Sequence, residues 1–445
     1  MAGKYQSYTE TKESGIPWVL DELPAHWEVL PAYSVLRHEQ IKNVDGKETN
    51  VLSLSYGNIK IRNVENNSGL LPESFNTYQL VWPGDIILRL TDLQNDKRSL
   101  RVGRSSLSGI ITSAYLKLKA SNRIDDRYLY RLLHFYDTSK VFYGMGGGLR
   151  QSLKFEDFRR LPIVVPTLNE QRAIAIFLDH ETAKIDALIA KQERLIELLK
   201  EKRQAVISHA VTKGLNPDVP MTDSGIEWLG EVPEHWKVSR LKFETEVVDC
   251  RNKTPVYFDD GEYFVVRTTN VKNQQLNFTG ALFTDETNFK IWTQRGVPPA
   301  GSILFTREAP TGEVCIVPEE LKFCMGQRMM NFIPRCSEYR DYLFDFLISD
   351  CLDRYINAVS HGSTVSHLRV EQVENIPVLV PPVKEIRQIH SLISRLKKKL
   401  DAIERNALDS IMLLKERKSS LISAAVTGKI DVRNWQSHQT EDAYA

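Results

Sequence analysis

Signatures of catalysis, metal binding and membrane insertion are all scarce in this chain. No run approaches the ~18 consecutive apolar residues that a membrane-spanning helix needs, so no span is expected. The opening residues, MAGKYQSYTETKESG, contain no apolar stretch of the kind a secretory leader carries, and a cytoplasmic location is expected. Cysteine is rare: Cys250, Cys315, Cys324, Cys336 and Cys351, all in the second half. An odd number without a C-x-x-C pair argues against a disulfide frame and a structural zinc site; reduced, partly buried thiols are expected instead. There is no G-x-x-x-x-G-K-[ST] motif, because Gly428-Lys429 is followed by Ile430. There is no G-x-G-x-x-G between a strand and a helix, no H-E-x-x-H and no G-x-S-x-G. Asn-Pro-Pro-Tyr, the motif of amino-group DNA methylation, is also missing. Nor is there a carboxylate cluster suited to a metal-dependent nuclease. From these absences a non-catalytic chain without metal or cofactor of its own is expected. Net charge is scarce too, +1 from 58 basic and 57 acidic side chains. That counts against autonomous nucleic-acid binding unless the positive charge is local or a partner supplies the rest.

What the chain does have is a repeat. Residues 162–215 and 377–430 align without a gap at an offset of 215, with 19 identities in 54 positions; ordinary composition gives about three or four. A shorter block in front of each is also duplicated: SGIPWVLDELPAHW at 14–27 and SGIEWLGEVPEHW at 224–236. The segments between, 28–161 and 237–376, are much less alike. A duplicated frame around two divergent inserts suggests a scaffold presenting two different readers.

Both long repeats read as helices. In the first, Ile174, Leu178, Glu181, Ile185, Leu188, Gln192, Leu195, Leu199, Lys202 and Val206 follow the alternating 4,3 spacing of a coiled-coil seam. No Pro or Gly interrupts it between Pro166 and Gly214. Asn169 is the expected N-cap, and Gly214 followed by Pro217 the stop. The second seam runs through Ile389, Leu396, Leu400, Ile403, Ala407, Leu414 and Leu421, weakened where Ser410 replaces Leu195. A helix over 169–211 would be roughly 64 Å long, too long to lie inside a small domain. Its natural partner is its own copy.

Each insert reads as a mixed α/β module. Strand-like runs occupy 49–55, 85–90 and 109–118 in the first and 263–267, 302–307, 313–317 and 331–334 in the second, with helical stretches at 126–136 and 339–356. The glycine-rich run at 144–148 is either a flexible turn or a phosphate-binding backbone. In the first insert, Arg89, Lys97, Arg98, Arg101 and Arg104 form either a local positive face or a solvated loop. Arg150, Gln151, Ser152 and Lys154 follow the glycines; Arg and Gln are the side chains that read guanine and adenine through paired hydrogen bonds. In the second insert, Arg267, Thr268 and Asn270, then Arg307, stand at strand ends. Ser363, Thr364, Ser366, His367 and Arg369 occupy the stretch matching 149–154. Strand ends are where binding loops sit, so all of these are candidate DNA-binding residues.

With these motifs the chain resembles the specificity subunit of type I restriction–modification enzymes, over nearly its whole length. The carrying residues are Gly230 to Trp236 (GEVPEHW), the helix starts from Pro166 to Arg172 and Pro381 to Arg387, and the LKEK…IS-x-AVT pattern at 199–212 with its copy at 414–427. The copies differ locally: Glu-Gln-Arg becomes Glu385-Ile386-Arg387, and Val-Thr-Lys-Gly becomes Val-Thr-Gly-Lys. The resemblance implies an α+β architecture: two mixed α/β target-recognition domains separated by two long helices that form an antiparallel coiled coil, with a pseudo-twofold internal repeat. The expected parts are a lead-in segment 1–27, recognition domain 28–161, helical region 162–215, linker and second lead-in 216–236, recognition domain 237–376, helical region 377–430 and polar tail 431–445. The resemblance also implies that the chain recognises a bipartite asymmetric target in double-stranded DNA. Its implied partners are two methyltransferase subunits, which bind S-adenosylmethionine, and restriction subunits that translocate and cut. A coiled-coil adaptor whose inserts bind proteins, and an enzyme with an unrecognised site, are the alternatives.

Overall fold

The computed structural model describes residues 5–19, 22–64, 74–93, 96, 99–145, 152–251, 253–359 and 367–436. The chain divides into two compact units. The first takes residues 1–192 and 409–445, the second residues 193–408. Each unit therefore holds one half of each long helix and one insert.

The two long helices span Leu168–Lys213 and Val383–Val426. The cap of the first lies two residues before the expected Asn169. Thr167 is the N-cap: its backbone N–H and hydroxyl donate to Glu170 Oε2 at 3.2 and 2.7 Å, and its hydroxyl oxygen accepts from Glu170 N–H at 3.4 Å. Thr-x-x-Glu is a capping box, which satisfies two helix-end donors reciprocally. Both helices stop at a left-handed glycine, Gly214 (φ +75°) and Gly428 (φ +72°), where a side chain would be strained.

The helices pair antiparallel within each unit. In the first unit Ile174, Phe177, Leu178 and Ile185 share one core with Leu421, Ile422, Ala425 and Val426, and Lys418 Nζ meets Asp186 at 2.7 Å. In the second unit Arg203 binds Asp401 at 2.5 Å and Glu404 at 3.1 Å. The expected seam is only partly buried: Ile174, Leu178, Ile185 and Leu199 are enclosed, whereas Leu188 and Leu195 are 46% and 36% exposed.

The two inserts share one plan. The first has an antiparallel four-stranded sheet in the order Leu36–His38, Leu116–Ala120, Ile86–Leu88, Val102–Arg104. The second repeats it with Thr245–Asp249, Met329–Pro334, Ile303–Arg307 and Thr311–Ile316. The expected 109–118 strand is two strands, Gly109–Ile111 and Leu116–Ala120. Helix Asp126–Thr138 packs on the first sheet, capped by the Asp125 carboxylate, which accepts from the N–H groups of Arg127 and Tyr128. The single helix expected over 339–356 is two, Ser337–Leu347 and Asp350–Val359.

Each insert is closed at its base by its own ends. Strand Glu28–Pro31 pairs with Pro162–Val165, and Lys237–Arg240 pairs with Pro377–Val380. Tyrosines pin this base in both: Tyr128 donates to Val164 O at 3.0 Å, Tyr339 to Leu379 O at 2.9 Å. A clasp then ties base to helix. Glu170 Oε1 accepts from Trp27 Nε1 at 3.3 Å and lies 2.8 Å from His26 Nε2. In the second unit, Glu385 Oε2 accepts from Trp236 Nε1 at 2.9 Å, and its Oε1 lies 2.7 Å from His235 Nε2. The duplicated His-Trp and the duplicated helix-start glutamate are thus two halves of one joint. The end of the opposite helix completes it, because a Cβ on Gly428 would fall 3.2 Å from Trp27 and one on Gly214 3.2 Å from Trp236.

Candidate nucleic-acid interface

The sequence places candidate contacts at the ends of the sheet strands and in the segment that returns to the helix. The structure brings these together in each unit. Leu153 N–H donates to Leu90 O at 2.9 Å, and Leu368 N–H donates to Arg307 O at 3.0 Å. Both returning segments are therefore stitched to the end of the second-from-edge strand. Ser152, Lys154, His367 and Arg369 are exposed there. Helix Val370–Glu374 starts at Arg369, whose backbone N–H donates to Gln372 Oε1 at 2.8 Å, and the Arg369 side chain is left to solvent. Lys154 stands at the same point before helix Phe155–Phe158, its N–H donating to Asp157 Oδ2 at 3.0 Å.

The expected positive face of residues 89–104 is reorganised by folding. Arg101 is fully buried. Its guanidinium donates to the carbonyls of Arg89, Thr91, Asp92 and Asp96 and to the Tyr143 hydroxyl. A loop leaving a sheet has carbonyls with no ladder partner, and a buried acceptor left unsatisfied is costly. Arg101 answers that need and does not reach solvent. It shapes the loop from within. Arg104 is bound to Asp126 at 2.5 Å. Arg89 is partly exposed, with Asp96 at 3.9 Å.

In the second unit, the Thr268–Asn270 turn consumes its own polar groups. Thr268 donates to Ala309 O at 2.9 Å, and Asn270, fully buried, accepts from Arg267 N–H and donates to Asn277 O, both at 3.0 Å. These two residues fix the strand end. Arg267 donates to Gly280 O at 2.8 Å and is half-buried. Arg307 lies 3.4 Å from Asp249, whose carboxyl is pushed up by burial although Arg307 and Arg295 oppose that shift. Lys97, Arg98, Arg150, Gln151, Ser363, Thr364 and Ser366, and the glycines at 146–148, lie outside the described residues.

Among the described residues no group of three or more His, Cys, Asp or Glu side chains could hold a metal ion, and no helix is long and apolar enough to cross a membrane. All five cysteines are free thiols, and only Cys336 is exposed. Burial pushes the thiols of Cys315 and Cys324 up to about 12, so neither is a thiolate nucleophile at neutral pH.

The family model described as the type I restriction modification DNA specificity domain matches residues 55–198 and 233–412. The chain is 26% identical over 343 residues to the type I restriction enzyme MjaVIII specificity subunit of Methanocaldococcus jannaschii, covering 73% of this chain and 75% of that one. It is 24% identical over 331 residues to the EcoKI specificity subunit of Escherichia coli, covering 70% and 67%. Among solved structures, a chain of a type I R-M system aligns at TM-score 0.68 with 14% identity, over 92% of this chain and 99% of that one. The HsdS subunit from Thermoanaerobacter tengcongensis aligns at 0.50 with 15% identity, over 92% and 98%; both likenesses speak for the fold. With two matched segments that together take in most of both inserts and of both long helices, this chain belongs to the type I restriction modification DNA specificity family.

Proposed function

We propose that this chain is the non-catalytic, sequence-reading subunit of a type I restriction–modification complex, and that its two inserts, 28–161 and 237–376, each read one half of a split target in duplex DNA. One observation carries the reading: two inserts whose four-stranded sheets have the same strand order, each stitched to its returning segment at the same point, present among the described residues Ser152 and Lys154 in one and His367 and Arg369 in the other. One scaffold with two unlike surfaces suits an asymmetric bipartite sequence. The adaptor alternative is disfavoured, because the family match is to a DNA specificity domain and includes the inserts.

The near-neutral charge fits a division of labour. Phosphate contacts supply much of the affinity of protein–DNA complexes, and base contacts supply selection. Partner subunits that hold the backbone relieve this chain of carrying a large basic excess. Those partners are two methyltransferase subunits, which bring S-adenosylmethionine, and restriction subunits that translocate and cut. Exposed apolar side chains on the helices offer them a surface: Ile176, Leu188, Met412 and Leu413 in the first unit, and Leu195, Leu198 and Leu408 in the second. The paired helices serve as the ruler that sets the gap between half-sites, and the complex works in the cytoplasm.

The test is an exchange of residues 28–161 for the corresponding insert of another family member, followed by selection from random duplexes with the methyltransferase subunits present. One half-site changes and the other is retained. Alteration of both halves, or of neither, would contradict modular reading.

A further inference from the structure

The reading of DNA by the first insert, on which this inference rests, leaves one feature of that insert unused. Hairpin Leu52–Ser55/Asn58–Ile61 turns through Tyr56 and Gly57. Tyr56 is 79% exposed and has φ +47°, a left-handed conformation that bulky side chains rarely adopt. Glycine or asparagine would be relaxed there; the sequence keeps a large aromatic ring in solvent.

The tip is firmly seated. Leu52 enters a small core with Val81, Ile87 and Ile111, joined by Ile59. Gly103, in the edge strand of the sheet, lets the hairpin lie flat: a Cβ there would fall 2.5 Å from Leu54 Cδ1 and 3.1 Å from Ile59 Cδ1. Gly57 is packed too, since a Cβ on it would lie 3.3 Å from Leu100 Cβ. Leu100 belongs to the 89–104 loop held by Arg101. The aromatic tip and that loop are therefore neighbours. The charge suits a polyanion, because residues 49–64 include Lys60 and Arg62 and no Asp or Glu. Lys60 is exposed, and Ile61 beside it is 63% exposed.

The geometry points to Tyr56 as a DNA-contacting residue of the first reader, an aromatic ring carried on a rigid hairpin tip and packed against bases beside the 89–104 loop. Rings so placed hold bases by stacking or wedge between base steps, and pre-organisation lowers the ordering cost of binding.

The test uses the full chain with its methyltransferase subunits on the duplex that complex selects. Tyr56→Ala weakens binding roughly 5- to 100-fold, the range for one lost base–aromatic contact, while Tyr56→Phe stays within about threefold. Preference in the second half-site is unchanged. Ultraviolet cross-linking to duplex carrying bromodeoxyuridine in the first half-site labels the peptide containing Tyr56, a readout that needs no variant to fold. If Tyr56→Ala binds like the parent and cross-links map only elsewhere, while the parent still selects a split target, the hairpin assignment fails and the DNA reading stands. If the parent selects no sequence, both fail.

Discussion

The two clasps have the same parts but unequal surroundings, and their removal should cost unequal amounts. Glu170 is 5% exposed and Trp27 fully buried. Glu170→Ala strands the Trp27 indole N–H away from water, a penalty of about 1–3 kcal/mol. It also dismantles the capping box with Thr167, worth about 0.5–2 kcal/mol. Together the loss is about 1.5–5 kcal/mol. Glu385 is 32% exposed, so water can replace much of what its carboxylate does. The residue at the cap position is Pro382, whose carbonyl accepts from Glu385 N–H and which has no side-chain oxygen to build a capping box. Glu385→Ala should cost about 1–2 kcal/mol. Urea denaturation gives the overall ranking, and hydrogen exchange over 167–175 against 382–390 locates each loss. Glu170→Gln, which keeps an acceptor oxygen, should recover part of the stability. An equal or larger loss for Glu385→Ala would refute the reasoning that burial and the cap decide the difference.

Three further outcomes follow from the same geometry. Arg101→Met removes the donors for four loop carbonyls and the Tyr143 hydroxyl; faster exchange over 89–101 and weaker first-half-site binding are expected, and an unchanged loop would show that those bonds do not shape it. Removing one heptad from the middle of each long helix withdraws roughly 10 Å, about three base pairs of duplex. Selection from random duplexes should then return the same half-sites with a shorter gap, whereas altered half-sites at an unchanged gap would rule out the ruler. The units should also respond oppositely to pH. Burial, helped by Arg131 and Lys418, pushes His134 down to about 4, so its contribution is complete above the ordinary histidine value of about 6.5 and is lost as the pH falls below it. The hydrogen bond to Asp345 raises His390, so that contribution is complete below the ordinary value and is lost as the pH rises through the raised one. Segment-resolved hydrogen exchange at pH 5 and pH 8.5 should show helix Asp126–Thr138 loosened at the lower pH and the contact between Ser337–Leu347 and Val383–Val426 loosened at the higher.

The architecture was legible because it is written twice. A fixed offset of 215 residues and a 3.5-residue apolar period report long-range order through local pattern, and both survive divergence of the inserts. Strand positions followed from β-branched runs between turn residues, and helix 126–136 was two residues short of Asp126–Thr138. The misplaced cap at Asn169 shows the limit of local propensity: Asn is a good cap, but Thr167 has a glutamate three residues on, and reciprocity decides. Leu188 and Leu195 fit the seam by spacing yet are exposed, since a heptad pattern cannot say which apolar face the paired helix covers. Arg101 reads as a DNA contact in sequence because charge is visible there and burial is not. Thr268 and Asn270 were placed correctly at a strand end, but their polar groups close a turn. The clasp escapes local pattern, because His-Trp and Glu lie 144 and 150 residues apart. Their joint repetition was the available signal.

The decisive measurement is a map of methylated bases on DNA treated with this chain and its methyltransferase subunits. Two unlike readers on one scaffold should give a single motif of two short, unlike sequences separated by a fixed run of unspecified bases, with a methylated base in each half. A contiguous motif, a palindromic one, or methylation without any sequence preference would contradict it.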